Sequence, residues 1–191
     1  MFCQDCLIQD IESHFLLEQE PLTTYGSDQS ASVEPSGFRQ LLGAVNKIEI
    51  ALMQEACNIT EKGVRRILPF IKPGVMEYNI EAELMHEFLN NRSKGFAYTP
   101  IIGSGYSACV LHYIENNKEC KDGDLLLLDF GAEYANYNGD CTRCIPVSGR
   151  FSKRQKEVYD AVLDVHNYAK TILKPGVTLP NYHAQVGDYT N

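Results

Sequence analysis

An α+β fold is what the amino-acid sequence predicts, on three observations. Apolar residues recur at helical spacing in three separate segments. From Phe96 to Val147 the pattern changes to short apolar runs broken by Gly-Ser-Gly, Asp-Gly and Asn-Gly, the punctuation of strands and turns. A long helix followed by a Lys-Pro-Gly-Val turn occurs twice, the turns falling at Ile71–Val75 and Leu173–Val177.

Taken in order, residues 1–37 read as an N-terminal remnant and linker. Leu7 to Leu17 suit one amphipathic helix, whereas Thr23 to Gly37 (TTYGSDQSASVEPSG) is too rich in Gly, Ser and Pro to fold alone. Residues 38–191 are the domain. Its first helix starts at Phe38, carries Leu42, Val45, Ile48, Leu52, Ala56, Ile59 and Ile67 on one stripe, and stops at Lys72-Pro73-Gly74. A second helix, Tyr78 to Asn91, sets Ile80, Leu84, Met85 and Phe88 on one face. Within the strand block, Leu125 to Leu128 is a continuous apolar run, which predicts a strand covered on both faces. A third helix opens at Ser152 with Gln155 three residues on, a capping box, and stops at Lys174-Pro175-Gly176. Something further begins at Leu179 before the sequence ends at Asn191, so the expectation is a duplicated architecture cut short in its second copy.

With 191 residues and 44% hydrophobic content the chain can bury a core of its own. A net charge of −8 argues against nucleic acid and against a membrane surface, which favour basic patches. No apolar stretch approaches the roughly 20 residues that span a bilayer. The opening MFCQDCLIQDIESHF has acidic residues and no basic cluster, unlike a signal or transit peptide. Seven scattered cysteines, an odd number, point to a reduced, cytoplasmic protein. A four-cysteine zinc site could be drawn from the CxxC pairs Cys3/Cys6 and Cys141/Cys144. Nothing local links the pairs, and in a strand Cys141 and Cys144 point to opposite faces, so unpaired cysteines are the default.

The chemistry is carried by Asp129, at the end of the Leu125–Leu128 run, and Asp140, which opens the run Cys141–Val147. The intervening FGAEYANYNG can reverse the chain. A reversal near Ala135 sets the two carboxylates opposite each other on paired strands, whereas a turn at Asn138-Gly139 breaks that register. Two facing carboxylates repel unless a cation or a shared proton lies between them, and a hard divalent cation suits carboxylate oxygen. Taken alone, the same residues also read as ordinary loop-edge acids, or as a glycosidase acid/base pair.

The stretches AYTPIIGSGYSACVLHYIEN and DGDLLLLDFGAEYANYNGDCTRCIPVSGRFSKRQKEVYDAVL, with IKPGVMEYNIEAELMHEFL before them, closely resemble the Xaa-Pro aminopeptidase (aminopeptidase P) family. The resemblance runs from about Phe38 to Val177. It implies the pita-bread (creatinase) fold, here as its first half plus the start of the second pseudo-symmetric repeat. It also implies a metallopeptidase that removes an N-terminal residue preceding proline. By that resemblance Asp129 and Asp140 bind two divalent metal ions, manganese being the expected pair with zinc or cobalt as alternatives. Water between the metals would be activated for attack on the first peptide bond. His112, of the LHY segment, would contact substrate and stabilise the tetrahedral intermediate. Thr142 and Arg143 would support the ligands from behind, and Tyr98 matches a tyrosine near the metals. His86, His166 and His183 have no such motif support.

The sequence also departs from the family. The family's third to fifth ligands, one His and two Glu, come from motifs of the HGxGH type and from later Glu-bearing strands, and none of these occurs before Asn191. His183, in PNYHAQVG, lacks the flanking glycines. Weak metal binding and no competence as a peptidase on its own are therefore expected of a partial chain. Partners would be peptides with proline in second position, with homo-oligomerisation open for a full-length protein. Alternatives are a prolidase-type dipeptidase or a non-catalytic pita-bread module that binds peptide or protein; methionine aminopeptidase fits EYANYNGDCTR less well.

Overall fold

A computed structural model describes residues 47–190. The helix expected at Leu7–Leu17, the linker, Cys3, Cys6 and the first turns of the helix expected from Phe38 lie outside the described residues, as does the division at residue 37. Helix α1 (Lys47–Ile67) and helix α2 (Glu77–Asn90) are followed by β1 (Gly95–Phe96), β2 (Ile101–Ser104) and a short 3-10 helix (Gly105–Cys109). Strands β3 (Leu125–Phe130), β4 (Ala132–Tyr134), β5 (Tyr137–Asn138) and β6 (Cys141–Pro146) come next, then helices α3 (Lys153–Ile172) and α4 (Leu179–Thr190).

The strands form two antiparallel three-stranded sheets, in the orders β1-β4-β5 and β2-β3-β6. One hairpin supplies the middle and one edge of both. Pairing runs from Leu125↔Pro146 to Phe130↔Cys141, continues through the Gly139 N–H to Ala132 O bond (2.9 Å), and ends at Glu133↔Asn138 and Tyr134↔Tyr137, all in one register. Its tip is the two-residue turn Ala135-Asn136, both residues at positive φ (52 and 68), the type I′ geometry whose twist matches that of the strands.

Asn138-Gly139 is therefore not the turn. Gly139 is a close-approach glycine: an added Cβ would lie 2.5 Å from Thr60 Oγ1 and 3.0 Å from Ala56 O on α1. Thr60 in turn accepts the Ala132 N–H at 2.9 Å, which fastens α1 to β4. Gly131 is tighter still, with its ideal Cβ in overlap with the Gly139 carbonyl.

The core lies between the α1–α2 pair and one face of the sheets, where Ile59, Ile67, Ile80, Leu84 and Phe88 meet Leu126, Leu128 and Phe130. Phe88 packs edge-on against Phe96, ring centroids 5.2 Å apart. The run Leu125–Leu128 is covered on both faces, as its composition suggested, but unequally. Burial alternates along β3, with Leu126, Leu128 and Phe130 buried and Leu125, Leu127 and Asp129 half-buried. Among the described residues α1 and α2 cover the first of these faces, and the 3-10 helix lies over part of the second, where Ser107 approaches Gly103.

Both Lys-Pro-Gly-Val segments form the same turn. Gly74 and Gly176 each stand at φ 91, and the valine N–H returns to the lysine carbonyl at 3.2 Å (Val75 to Lys72) and 3.1 Å (Val177 to Lys174). The something that begins at Leu179 is a helix, so the second unit repeats helix, turn, helix. Its burial differs: α1 from Ala56 onward and α2 from Glu77 to Phe88 bury residues, whereas α3 and α4 bury none and pack on each other through Tyr168 stacked on Tyr189 at 3.9 Å. The capping box of α3 is present, Ser152 Oγ accepting the Gln155 N–H (3.3 Å) and Gln155 Oε1 accepting the Ser152 N–H (2.8 Å).

Candidate functional site

The hairpin register decides how the two aspartates meet. Asp129 pairs with Thr142 and not with Asp140, because the turn centres between Ala135 and Asn136 and so displaces the partner by two residues. A shift of two preserves the face, since side chains alternate with period two. Asp140 accordingly stands opposite Gly131, one diagonal step from Asp129 on the same side of the hairpin. Gly131 leaves that side clear of a side chain between them.

Tyr98 joins the pair. Ala97 N–H still bonds Gly131 O (2.8 Å) and Ile101 pairs with Asp129, so Tyr98, Thr99 and Pro100 bulge out opposite Phe130 alone. Proline has no N–H to give a ladder, which makes Pro100 the sequence signal that could have located this bulge. The bulge swings the Tyr98 hydroxyl to 2.7 Å from Asp129 Oδ1 and 2.8 Å from Asp140 Oδ1. Burial first, then hydrogen bonding to the two carboxylates, then their charge, hold this phenol far above its ordinary titration range.

The other expected site residues stand around this centre at differing depths. Thr142 is exposed beside Asp129, its cross-strand neighbour. Arg143 pairs with Leu128, so it leaves β6 on the opposite side from the carboxylates; its Nη1 donates to Thr142 O at 2.8 Å. His112 is exposed at φ 54 in the turn after the 3-10 helix and takes no part in the bonds that join Tyr98, Asp129 and Asp140. Cys141 is buried and Cys144 half-buried on opposite faces of β6, both unpaired thiols; burial raises both, and for Cys141 the Arg143 charge partly offsets it. His86 lies exposed on α2 within reach of Asn90, and His183 lies exposed on α4.

One residue that the sequence reading passed over belongs with these. Glu77, the first residue of α2, is fully buried, and its carboxylate binds both ends and the middle of the segment that carries His112. Its neighbour in sequence, Met76, and the turn before it gave no reason to expect a buried acid.

Two carboxylates aimed at one point, with no cationic side chain among the described residues hydrogen-bonded to either, suit a cation. Among the described residues no group of three or more His, Cys, Asp or Glu side chains comes together, so the donor set is incomplete for one. No helix among the described residues is long and apolar enough to cross a membrane.

Comparison with known proteins points the same way. The chain matches metallopeptidase family M24 over residues 51–191. It is 41% identical over 131 residues to the Xaa-Pro aminopeptidase of Escherichia coli (strain K12), covering 69% of this chain and 30% of that protein. Among solved structures it is similar to proline aminopeptidase P II from Yersinia pestis, with a TM-score of 0.73, 38% identity and coverage of 78% of this chain and 35% of that one. A zinc-substituted E. coli aminopeptidase P in complex with product gives a TM-score of 0.72 at 39% identity, over 74% and 32% of the two chains. The chain thus spans about a third of the length of the relatives it matches. A family match across most of the chain, with helices, hairpin and register arranged as described, leads to one conclusion: the chain belongs to metallopeptidase family M24 and has the pita-bread fold of the aminopeptidases P.

Proposed function

We propose that this chain contributes Asp129, Asp140 and His112 to a two-metal site for hydrolysis of the first peptide bond of substrates with proline in second position. The observation that carries the reading is the convergence of both carboxylates on the Tyr98 hydroxyl, which marks a point on one sheet face where two acidic groups are held together. Divalent cations bound there, manganese by expectation, would supply Lewis-acid polarisation and lower the pKa of bound water.

The chain's own residues do the rest. Asp129 and Asp140 present oxygen from a paired strand and its edge, so their spacing is set by the backbone and not by flexible side chains. Tyr98 donates its proton to them and keeps both oxygens turned inward. His112, exposed, offers a ring nitrogen to a substrate carbonyl or to the charge that develops on it. Thr142 lies beside Asp129 as a neighbour able to orient it, whereas Arg143 acts from the other side, through the Thr142 carbonyl. A cytoplasmic location and homo-oligomeric assembly of the whole protein belong to the same proposal. Retention of both aspartates and of His112 favours a peptidase over a metal-free binding module.

Two carboxylates are too few to hold a metal tightly, so weak manganese binding and no turnover are expected of residues 1–191. Calorimetric titration with manganese, beside an assay on an Xaa-Pro peptide, tests both parts. Binding should be weak and should vanish in Asp129→Asn. Binding indifferent to Asp129→Asn would remove the site, and tight two-metal binding with turnover would remove the claim of inactivity.

A further inference from the structure

Glu77 is 0% exposed, and both its oxygens are engaged. Oε1 accepts the Ser104 N–H at 2.7 Å; Oε2 accepts the Tyr113 hydroxyl at 2.7 Å and the Lys118 N–H at 2.9 Å. The Glu77 N–H also donates to the Lys118 carbonyl at 2.9 Å. Ser104 and Lys118 flank one excursion, residues 105–117, between β2 and the lead into β3, and Tyr113 lies within it. The middle partner, Tyr113, is the residue next to His112. One turn along the same face of α2, Glu81 accepts from Asn116 Nδ2 at 3.0 Å, and Asn116 further bonds Pro100 O and the Ile102 N–H.

Besides Glu77, the excursion is held by the Asn116 bonds and by the seat of Ser107 against Gly103, and neither of these reaches His112 directly. Beside His112, Leu111 and Ile114 are exposed at 91% and 58%, so apolar packing of these two does not fix the His112 turn. Yet the excursion contains His112 at φ 54 and Asn116 at φ 44, left-handed conformations that non-glycine residues keep only when their surroundings over-determine them. Nor does the helix start itself call for an acid. In the second copy of the Lys-Pro-Gly-Val turn, which has the same geometry, the equivalent residue is the exposed Leu179. A buried carboxylate is costly unless fully hydrogen-bonded, and here all three bonds to the carboxylate come from the excursion and its two flanking residues.

We propose that Glu77 is a positioning residue, which fixes residues 105–117 and, through Tyr113, holds His112 in its left-handed turn. The catalytic meaning of that placement rests on the role of His112 proposed above; the placement itself does not.

The test uses the whole 191-residue chain with Glu77→Gln and Tyr113→Phe. The glutamine keeps the volume but turns an NH2 donor toward either the Ser104 N–H or the Tyr113 and Lys118 donors. Amide hydrogen exchange and two-bond proton–nitrogen spectra of the histidine rings are the readouts, with His86 and His183 as internal references. In Glu77→Gln, exchange at Ser104, Val110 and Lys118 should rise by about tenfold or more, the scale of one orphaned buried donor. The His112 ring signals should move, while β3 and β6 amides and the reference histidines stay put. Tyr113→Phe should move His112 in the same sense by less. An unmoved His112 in Tyr113→Phe, or a rise in exchange spread evenly over β3 and β6 in Glu77→Gln, would overturn the proposal. Manganese binding should be unchanged in both variants; its absence from the unsubstituted chain would count against the metal site and leave this placement standing.

Discussion

A single hydroxyl proton on Tyr98 serves two carboxylates, and that shared bond has a pH signature. The folded chain holds the phenol far above its ordinary range, through burial and the two hydrogen bonds, whereas the unfolded chain releases its proton near pH 10. Below about pH 10 this contribution to stability is therefore fully present, and it is lost progressively as pH rises, because only the unfolded state gives up the proton. Tyr98→Phe should cost about 1 kcal/mol at neutral pH, the scale of a half-exposed hydrogen-bonded hydroxyl, and should flatten the alkaline loss of stability. Urea unfolding of both forms from pH 8 to 11 measures this; an identical slope in the two forms would show that Tyr98 does not carry it. The meeting of Asp129 and Asp140 on one face was legible in the sequence because both sit beside short strand runs that a nearby reversal can pair. The bond from Tyr98 was not, since it depends on a bulge that only pairing on both sides defines. Glu77 was illegible for a similar reason: its partners lie 27 to 41 residues away.

Among the elements, the hairpin from β3 to β6 is held against α1 by the absence of side chains. Gly131→Ala would drive a methyl into the Gly139 carbonyl, and Gly139→Ala would press one on Thr60 and the Ala56 carbonyl. Both partners include backbone, which cannot swing aside. Each change should destabilise by about 2–4 kcal/mol, in the range of overpacked or strained core sites. Gly123→Ala, at φ 86 with open space around it, should cost only about 1–2 kcal/mol from backbone strain. Chemical denaturation ranks the three, and equal losses would mean that the close approach to α1 contributes nothing. Helix positions and the strand block were readable from periodicity and punctuation. The Asn138-Gly139 pair competed as a turn signal because glycine marks close contact as well as turns, and its contact partner is on a distant helix.

Packing is uneven across the described residues. The α1–α2 pair and one sheet face share a full core, while α3 and α4 bury no residue and leave Val162 and Leu173 each 63% exposed. Leu126→Ala, at a fully buried site, should cost about 2–5 kcal/mol. Val162→Glu should change stability by less than about 0.5 kcal/mol and should raise solubility. Thermal melts of the two variants discriminate them, and a large loss for Val162→Glu would reveal packing on α3 that its exposure does not show. Apolar periodicity predicted α3 correctly but said nothing of what covers it, because a stripe of valines reads alike whether or not a partner is present.

The single register of the hairpin has a last consequence. A slip of one residue between its arms would turn Leu126, Leu128 and Phe130 outward and drive Asp129 into the hydrocarbon interior, a state far too costly to persist. Selection for a filled core is therefore also proofreading of the acidic pair. The core thus keeps both aspartates on one face, while their offset along that face is set by the two-residue turn at Ala135-Asn136.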